Sequence, residues 1–459
     1  MNNQRRKIIF VTTEGILIFS AIYLAFLIFG GHAGGSADIL VFFWPNILLI
    51  TLIIQFSLYF RDLYAFRLKE NPIDLASRLL ESIGISLILL ATVCFFWPEL
   101  ILKKRLLFAG LVMMVLLLVA WRLLYVLATR QKILTDRAII LGGGNLAGDI
   151  WDEIESGWGG GCNLRGIVVP EKTQTLRGRF GNTSIFQGFD TICHLAEAEK
   201  AGSIIVALDE KRNIFPYREL LDCKLRGINV IDGESFYEKL AGKILVEKIN
   251  PSWLIFSDGF ARSTLSKAAK RTLDLLVSTI LLILSAPFFL LTAAAVKLES
   301  RGPVFFSQER VGEHGRPFML HKFRSMCDNA EKESGPVWAG ENDPRISRVG
   351  RIIRKVRLDE LPQLWNVFNG KMTFVGPRPE RQHFVQELKN KIPYYNERFS
   401  VKPGVTGWAQ IKYGYGATEN DALEKLKYDL YYIKNMTVVM DLLIIFHTVK
   451  TVLLARGSR

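Results

Sequence analysis

Four long apolar stretches near the N-terminus constrain this chain more than any other feature of its sequence. They lie near residues 8–30, 38–60, 76–97 and 106–128. A helix of about 20 apolar residues can cross the ~30 Å hydrocarbon core of a bilayer. Hydrophobic residues make up 49% of the 459-residue chain, and they gather in runs instead of repeating at the period of a surface helix or strand. The pattern predicts a membrane α-helical bundle of four transmembrane helices over residues 1–130.

Basic residues around these runs predict the orientation of the bundle. Residues 5–7 are all basic and precede the first run, Arg130 follows the fourth, and the segment 30–38 between the first two runs has no Lys or Arg. Because basic residues favour the cytoplasmic side, both ends of the bundle are predicted to face the cytoplasm. The basic run at residues 103–105, before the fourth stretch, favours the opposite orientation.

The charge balance favours anionic partners. The chain has 58 Lys and Arg against 44 Asp and Glu, a net charge of +14, which suits lipid headgroups, nucleotides or other phosphates. Nucleic acid is not predicted as a partner, because the sequence has no helix-turn-helix, zinc or RNA-binding motif.

The cysteines are far apart in sequence and form no CxxC pair. They are Cys94, Cys162, Cys193, Cys223 and Cys327. This spacing predicts neither a disulfide framework nor a zinc site, and it favours a reducing, cytoplasmic setting for the soluble parts.

A change in composition marks a second domain, predicted over residues 136–260. The phrase RAIILGGGNLAGDI (137–150), an apolar strand followed by glycines and a helical pattern, is typical of the opening of a Rossmann-like, doubly wound α/β domain. Further strands are predicted at 165–169, 203–208 and 228–232, with helical patterns between them. Strands that alternate with helices favour a parallel sheet.

The glycines of this domain form a possible nucleotide loop. Gly142, Gly144 and Ala147 have the G-x-G-x-x-G/A spacing that lets a backbone approach a pyrophosphate at a helix N-terminus. The expected ribose-binding acid is not convincing, since Glu171 is farther on than the usual spacing of about 20 residues. A nucleotide-type fold that binds no catalytic cofactor is the preferred interpretation.

A fifth apolar run precedes the C-terminal domain. Residues 275–296 could span a bilayer, but Pro287 interrupts them, with Ser285 two residues earlier. Proline removes a helix hydrogen bond and clashes with the preceding turn, so a break is predicted there. Basic residues flank both ends, which favours a re-entrant helix hairpin over residues 272–297 that enters and leaves the same leaflet. A fifth true crossing is the alternative.

The segment after this run holds most candidates for anion chemistry. Its phrases are GPVFFSQERVG (302–312), FMLHKFRSM (318–326), DPRISRVGRIIRKVRLDELPQLWNV (343–367), GPRPE (376–380) and KPGVTGWAQI (402–411). Substrate phosphates need fixed cations, and arginine offers planar, two-pronged donation.

Two adjacent acids stand out among these basic residues. Asp359 and Glu360 are predicted to lie at or just before a helix N-terminus, because Pro362 is tolerated only in the first turn of a helix. Free N–H groups favour anions there. A carboxylate near Arg354 and Arg357 should stay ionised, which suits a nucleophile or a ligand of Mg²⁺. A simple helix cap is the alternative for Asp359, and the local pattern alone does not decide.

From about Lys267 to the C-terminus, these phrases in this order closely resemble the monotopic phosphoglycosyltransferases, bacterial sugar transferases that act on polyprenyl phosphate. The whole layout resembles the long form of that family, whose members commonly initiate exopolysaccharide, capsule or O-antigen chains. The resemblance implies a monotopic α/β catalytic domain over residues 264–459. It also implies a multi-pass protein of the bacterial inner membrane, with the catalytic domain in the cytoplasm and the oligomeric state left open.

Carried over residue by residue, the resemblance implies a two-step reaction. Asp359 matches the family's nucleophile, and Glu360 matches its acidic neighbour, which is linked to Mg²⁺. Asp359 would attack the sugar-linked phosphate of a UDP-sugar and expel UMP, and undecaprenyl phosphate would then accept the hexose-1-phosphate. Four residues match basic positions of the family near phosphate: Lys322, Arg324, Arg354 and Arg378. The family's Ser-Pro break is Ala286-Pro287 here, which leaves the backbone bond of a serine hydroxyl in doubt.

Two other classes of protein share parts of this layout. Membrane-anchored nucleotide-sugar dehydratases need a Tyr-x-x-x-Lys pair, but none of the 13 tyrosines has a lysine four residues later. A non-catalytic polysaccharide-assembly scaffold would explain the membrane helices but not the dense set of Arg, Asp and Glu in the last third of the chain. The sequence therefore favours an enzyme.

Overall fold

The computed structural model describes residues 3–29, 36–61, 63–64, 72–97, 104–130, 136–158, 162–170, 179–181, 183–209, 215–248, 259–260, 263–327, 343–414, 416 and 418–453. The chain divides into two compact units, Met1–Ala241 and Gly242–Arg459. The connections at 131–135 and 249–258, where the predicted domains meet, lie outside the described residues.

The N-terminal part of the first unit is helical. Its helices are α1 (Asn3–Phe29), α2 (Ser36–Phe60), α3 (Pro72–Phe96) and α4 (Lys104–Arg130). A buried ion pair joins two of them, because Arg122 donates to the fully buried carboxylate of Glu14 at 3.0 Å. By length and composition, the stretch Ser77–Phe96 in α3 could cross a membrane, while the apolar stretches in the described parts of α1, α2 and α4 are shorter. The four helices are confirmed, and their crossing of a membrane stays a prediction.

The rest of the first unit contains the predicted parallel sheet. Its strands are β1 (Asp136–Leu141), β2 (Cys162–Val169), β3 (Ile185–Gln187), β4 (Ser203–Val206) and β5 (Asn229–Asp232), in the order β3-β2-β1-β4-β5. The helices are α5 (Asn145–Glu153), extended by a π-helical turn (Ile154–Trp158), α6 (Ile192–Ala198), α7 (Tyr217–Leu225) and α8 (Gly233–Ala241). The strand order reverses between β1 and β4, which is where such sheets bind ligands.

A disulfide joins Cys193 of α6 to Cys223 of α7, with 5.2 Å between their Cα atoms. The prediction of a chain without disulfides is therefore wrong at this pair. Both cysteines belong to one hydrophobic cluster with the apolar side chains of β1 and β4. They meet because α6 and α7 pack on the same face of the sheet, and a spacing of 30 residues gives no sign of that contact.

The second unit is built from short elements around one main core. Its helices are α9 (Thr264–Glu299), α10 (Arg348–Lys355), α11 (Gln363–Phe368), α12 (Gln382–Lys391), α13 (Trp408–Lys412), α14 (Glu419–Asn435) and α15 (Val438–Leu453). Its strands are β6 (Phe305–Val311) and β7 (Pro317–Phe323), an antiparallel pair, and β8 (Thr373–Val375) and β9 (Gly404–Thr406), a parallel pair. Ile244 and Val246 insert into the same core as β8, α12 and α14, so this unit begins well before α9.

Residues 264–299 form a single 36-residue helix with Pro287 inside it. The predicted helix-break-helix hairpin over residues 272–297 is therefore not confirmed. Proline removes one N–H donor and bends the backbone locally, which a long helix tolerates when the turns on either side keep their hydrogen bonds. The hydroxyl of Ser285 is buried and has no hydrogen-bond partner within the described residues.

Both ends of α9 are hydrogen-bonded to other elements of the second unit, and between them one face of the helix packs on its cores through Leu281, Leu282 and Phe289. Near the N-terminal end, the carboxylate of Asp274 accepts a hydrogen bond from the amide of Phe374 at 2.8 Å. At the C-terminal end, Glu299 accepts one from the amide of Val349 at 2.9 Å. Between these anchors lie exposed apolar side chains: Ile280, Ile283, Leu284, Phe288, Leu290 and Leu291. Both ends of α9 are thus fixed to one folded unit.

Candidate active site

The two acids singled out in the sequence lie in a tight turn between α10 and α11. Asp359 and Glu360 belong to the 3-10 turn Leu358–Glu360. Arg357, directly before it, has left-handed backbone angles (φ 60°), an uncommon conformation for a residue with a side chain. Pro362 caps the N-terminus of α11. The prediction that both acids lie just before the start of a helix is confirmed.

Asp359 is buried, with 8% of its surface exposed. Within the described residues its carboxylate accepts no hydrogen bond. Burial raises the pKa of Asp359 to about 6, and the charge of Glu360 adds to the rise. The cations Lys322, Arg354 and Arg378 oppose it. At neutral pH the carboxylate is therefore ionised but poorly solvated, which is the condition of a reactive nucleophile rather than of a satisfied helix cap.

Glu360 differs from its neighbour because its carboxylate has three cationic partners. One oxygen accepts from Nζ of Lys322 at 3.1 Å and from the guanidinium of Arg378 at 2.7 Å, and the other lies 3.7 Å from the guanidinium of Arg357. Burial alone would raise the pKa of Glu360, but these three cations outweigh it and hold the pKa well below its usual range. Glu360 is thus a fixed anion that positions two cations beside Asp359.

Three of the four predicted phosphate-binding residues meet at this dyad. Lys322 comes from β7, Arg354 from the last turn of α10, and Arg378 from the segment after β8. Arg354 acts on Asp359 through its charge, without a hydrogen bond to it. Its guanidinium has therefore kept its capacity to donate to a substrate phosphate.

Arg324 is not brought to the dyad. Its guanidinium donates to the backbone oxygen of Arg301 at 2.8 Å and to the backbone and hydroxyl oxygens of Ser300 at 3.0 and 2.9 Å. The side chain is buried against the end of α9. The structure thus gives Arg324 a contact that anchors α9, and the predicted role in phosphate binding has no geometric support.

Two residues behind Arg378 have no signal in the sequence. Arg398, in the 3-10 turn Tyr395–Ser400, donates to the backbone oxygen of Arg378 at 3.1 Å and to the carboxylate of Asp429 at 2.9 Å. Burial raises the pKa of Asp429 to about 6 although the charge of Arg398 opposes the rise. The two charges lie 31 residues apart on different elements, so no spacing pattern could have paired them.

The glycine loop of the first unit is built as the sequence predicts, but it is already occupied. Gly142 has φ +123°, and a Cβ there would overlap the backbone oxygen of Ala207. At the start of α5, the carboxylate of Asp209 accepts from the amides of Asn145 at 2.6 Å and Leu146 at 3.0 Å. It thus fills the position that a pyrophosphate takes at such a helix N-terminus.

The other residues predicted for that loop have contacts within the chain. A Cβ at Gly144 would overlap the Asp209 carboxylate, so this glycine makes room for the internal acid. Ala147 is fully buried and serves helix packing. Glu171, the weak candidate for ribose binding, lies outside the described residues. The geometry therefore favours the interpretation of a nucleotide-type fold without a cofactor.

The dyad can contribute to a magnesium site only together with a substrate. Among the described residues, no cluster of three or more His, Cys, Asp or Glu side chains is arranged to hold a metal ion. Mg²⁺ is commonly bound by one or two carboxylates plus substrate phosphates. The unbonded carboxylate of Asp359 and the less engaged oxygen of Glu360 fit such a partial site.

Comparisons with known proteins point to the same part of the chain. A model of the family described as bacterial sugar transferase matches residues 265–455. The exopolysaccharide production protein PSS of Rhizobium leguminosarum bv. phaseoli is 41% identical over 188 residues, which cover 39% of this chain and 92% of that protein. The segment that the family model matches, 265–455, includes Asp359, Glu360 and the cations around them.

Two longer relatives carry names that specify a reaction. The UDP-N-acetylgalactosamine-undecaprenyl-phosphate N-acetylgalactosaminephosphotransferase of Aeromonas hydrophila is 42% identical over 242 residues, 53% of this chain and 56% of that protein. The UDP-glucose:undecaprenyl-phosphate glucose-1-phosphate transferase of Escherichia coli (strain K12) is 42% identical over 191 residues, 41% of this chain and 40% of that protein. The matches thus span about half or less of these relatives' lengths.

Proposed function

Because the chain belongs to the bacterial sugar transferase family, we propose that it is a phosphoglycosyltransferase. It transfers a hexose-1-phosphate from a UDP-sugar to undecaprenyl phosphate, giving undecaprenyl-diphosphate-sugar and UMP, and so initiates an exopolysaccharide, capsule or O-antigen chain. The observation that carries the proposal is the state of Asp359, a buried carboxylate that accepts no hydrogen bond from any described residue and has three cations nearby. Such a carboxylate suits attack on phosphorus, because nothing has to be displaced before it reacts.

The reaction proceeds in two balanced steps. In the first, a carboxylate oxygen of Asp359 forms a bond to the sugar-linked phosphorus of the UDP-sugar. The bond from that phosphorus to the bridging oxygen breaks, and UMP leaves with the electron pair. In the second, an oxygen of undecaprenyl phosphate attacks the aspartyl phosphosugar, and the carboxylate of Asp359 is released.

The cations around the dyad lower the barrier by electrostatics. Lys322 and Arg378 are held by Glu360 before the substrate arrives, so they need little reorganisation when charge develops on the phosphate oxygens. Arg354 supplies a further guanidinium for the phosphate. Phosphoryl transfer depends mainly on positioning and charge stabilisation of this kind.

Mg²⁺ is the proposed cofactor. When bound, it would neutralise charge on the diphosphate and on the leaving UMP. Glu360, with Asp359 beside it, would hold the ion together with oxygens of the substrate. The task of Glu360 within the chain is to keep Lys322 and Arg378 in place.

We propose that the protein is a multi-pass protein of the bacterial inner membrane, with α1–α4 spanning the bilayer and the second unit on the cytoplasmic side. UDP-sugars are cytoplasmic, so the second unit must lie there. Both ends of α9 are anchored to this unit, while its middle exposes apolar side chains such as Leu284 and Leu291. A helix held at both ends by one soluble unit enters the membrane from one side, in place of a fifth crossing.

An assay of UMP release tests the proposal and identifies the donor sugar. Purified protein in detergent or vesicles is incubated with undecaprenyl phosphate and, separately, with UDP-glucose, UDP-galactose, UDP-N-acetylglucosamine and UDP-N-acetylgalactosamine. One donor should release UMP and give a lipid-linked diphosphate sugar that mass spectrometry identifies. If no donor releases UMP while the protein is folded and Mg²⁺ is present, the proposal fails. That result would favour the alternative of a non-catalytic polysaccharide-assembly scaffold.

A further inference from the structure

The segment Gly376–Glu380 carries Arg378, and the backbone of this segment is held from behind by a buried arginine. Arg398 has 6% of its surface exposed, and its guanidinium donates to the backbone oxygen of Arg378 at 3.1 Å. On its other side, the guanidinium of Arg378 donates to Glu360 at 2.7 Å. Arg398 is thus one residue removed from the dyad.

Several contacts besides the bond to Arg378 fix the position of the Arg398 guanidinium. Its guanidinium donates to the hydroxyl of Tyr395 at 2.7 Å and to the carboxylate of Asp429 at 2.9 Å. It also lies over the rings of Tyr395 and Phe399, at 5.1 and 5.8 Å from their centroids. A planar guanidinium held by an anion, a hydroxyl and two rings has little freedom to move.

The hydrogen bond from Arg398 is made to the backbone oxygen of Arg378, so it affects where the Arg378 side chain begins. Its side chain must place one nitrogen within hydrogen-bond distance of Glu360 and keep its other donors for the substrate. A backbone shift of about 1 Å at the base of a long side chain can cost as much as 100-fold in rate when a catalytic group is misplaced.

We propose that Arg398, fixed by Asp429, is a positioning residue for phosphosugar transfer. It sets the backbone of Arg378, so that the Arg378 guanidinium reaches Glu360 and the substrate phosphate together. The assignment rests on the proposed function, since it concerns the efficiency of that reaction. Asp429 lies on α14 away from the dyad, and its role is to hold the Arg398 guanidinium in place.

The same helix offers a matched control. Lys427 of α14 is also buried, with 7% of its surface exposed, and it is paired with Glu247 and Glu424 at 2.6 Å each. No hydrogen bond or ion pair of Lys427 in the described part of the chain reaches the segment 376–380. Lys427→Met therefore removes a buried, paired cation from α14 without touching the base of Arg378.

The first test is hydrogen exchange of the purified full-length protein, read by mass spectrometry on peptides that contain residues 376–380. Arg398→Lys keeps the charge but loses the planar fork, and it should speed exchange in these peptides relative to wild type. Asp429→Asn should do the same to a smaller extent. Lys427→Met should leave these peptides unchanged. Unaltered exchange at 376–380 in folded Arg398→Lys and Asp429→Asn would overturn the proposal.

The second test is a double-mutant cycle on the rate of UMP release. Arg398→Lys should lower kcat about 10- to 100-fold, with a smaller change in KM for the UDP-sugar. In an Arg378→Lys background the same substitution should have little further effect, since the residue that it positions has already been impaired. An equal fall in both backgrounds would show that Arg398 does not act through Arg378.

The two proposals fail in different ways. If wild-type protein releases no UMP from any donor, the proposed function fails, and the exchange contrast still tests whether Arg398 fixes the segment. If wild type is active and the exchange and kinetic effects of Arg398→Lys equal those of Lys427→Met, the positioning role fails alone.

Discussion

Two aspartates, one in each unit of this chain, differ in how their carboxylates are hydrogen-bonded. Asp209, at the carboxyl end of β4, accepts hydrogen bonds from two amides at the start of α5. Asp359 is buried, accepts no hydrogen bond within the described residues, and has cations nearby that act only through their charge. The first site is satisfied by the chain itself. The second is left without a hydrogen bond from the described residues, as the proposed nucleophile requires.

In this protein the nucleotide-type fold and the proposed phosphate chemistry lie in different units. The glycine loop of the first unit has the spacing and the backbone geometry of a pyrophosphate site, yet an internal carboxylate fills it. The second unit has no glycine fingerprint at the dyad, and the proposed binding of substrate phosphate there depends on Lys322, Arg354 and Arg378. At the glycine loop the backbone amides already donate to Asp209, whereas the cations near Asp359 make no hydrogen bond to it. This difference favours the dyad as the substrate site.

The largest effect is expected at Asp359. Asp359→Asn keeps size and polarity but removes the nucleophile, so transfer should fall on the order of 10⁴-fold or more. The thermal unfolding temperature should stay the same or rise, because burial disfavours the charged form of this carboxylate. UMP release and thermal unfolding are measured on the same samples. Substantial lipid product from this variant would contradict the covalent mechanism.

A smaller loss is expected at Glu360. Glu360→Gln removes the anion that holds Lys322 and Arg378, so the rate should fall about 100-fold through misplacement of both cations. It also removes a hard oxygen ligand, so half-maximal activity should require more Mg²⁺. The measurement is UMP release across a magnesium titration. A variant with the wild-type rate at every concentration would remove Glu360 from both roles.

The rate of transfer should depend on pH through the carboxylate of Asp359. The reactive form of Asp359 is the ionised one, and its pKa is raised to about 6. As pH falls below this value the protonated fraction grows, so kcat/KM should drop by up to about tenfold per pH unit and level off above about pH 7. Initial rates in buffers of constant ionic strength test this. A profile that stays flat well below pH 6 would mean that no group with this pKa controls the reaction.

The smallest effect on transfer is expected at Asp209. Asp209→Ala removes the carboxylate at the start of α5 and should cost the first unit about 1 kcal/mol as the loss of a helix cap. Transfer should change less than about twofold, because the dyad and its cations lie in the other unit. Calorimetry of the wild type with NAD should detect no binding. A tenfold loss of transfer in a folded Asp209→Ala variant would show that the loop takes part in the reaction.

Much of this architecture could be predicted because its signals are local. Apolar runs of helical length gave α1–α4, and the alternation of short apolar strands with helices gave the parallel sheet. Pro362 located the acidic pair before α11. In each case, residues close together in sequence decide the outcome.

The rest depends on contacts between residues far apart in sequence. Lys322 and Arg324 would share one face of a strand, but β7 ends at Phe323, and Arg324 turns to the end of α9 instead. Asp209 reaches α5 across 64 residues. The disulfide and the Arg398–Asp429 pair likewise join different elements, so only the packed structure reveals them.

The most direct test of the central claim is to look for the phosphosugar on Asp359. The protein is incubated with a UDP-sugar labelled in the sugar-linked phosphate, without undecaprenyl phosphate, and is then quenched and digested. The account predicts one equivalent of UMP, label on the peptide that contains Asp359, and transfer of that label to lipid when undecaprenyl phosphate is added. Label on another peptide, or UMP release only after lipid is added with no labelled protein at any time, would contradict it.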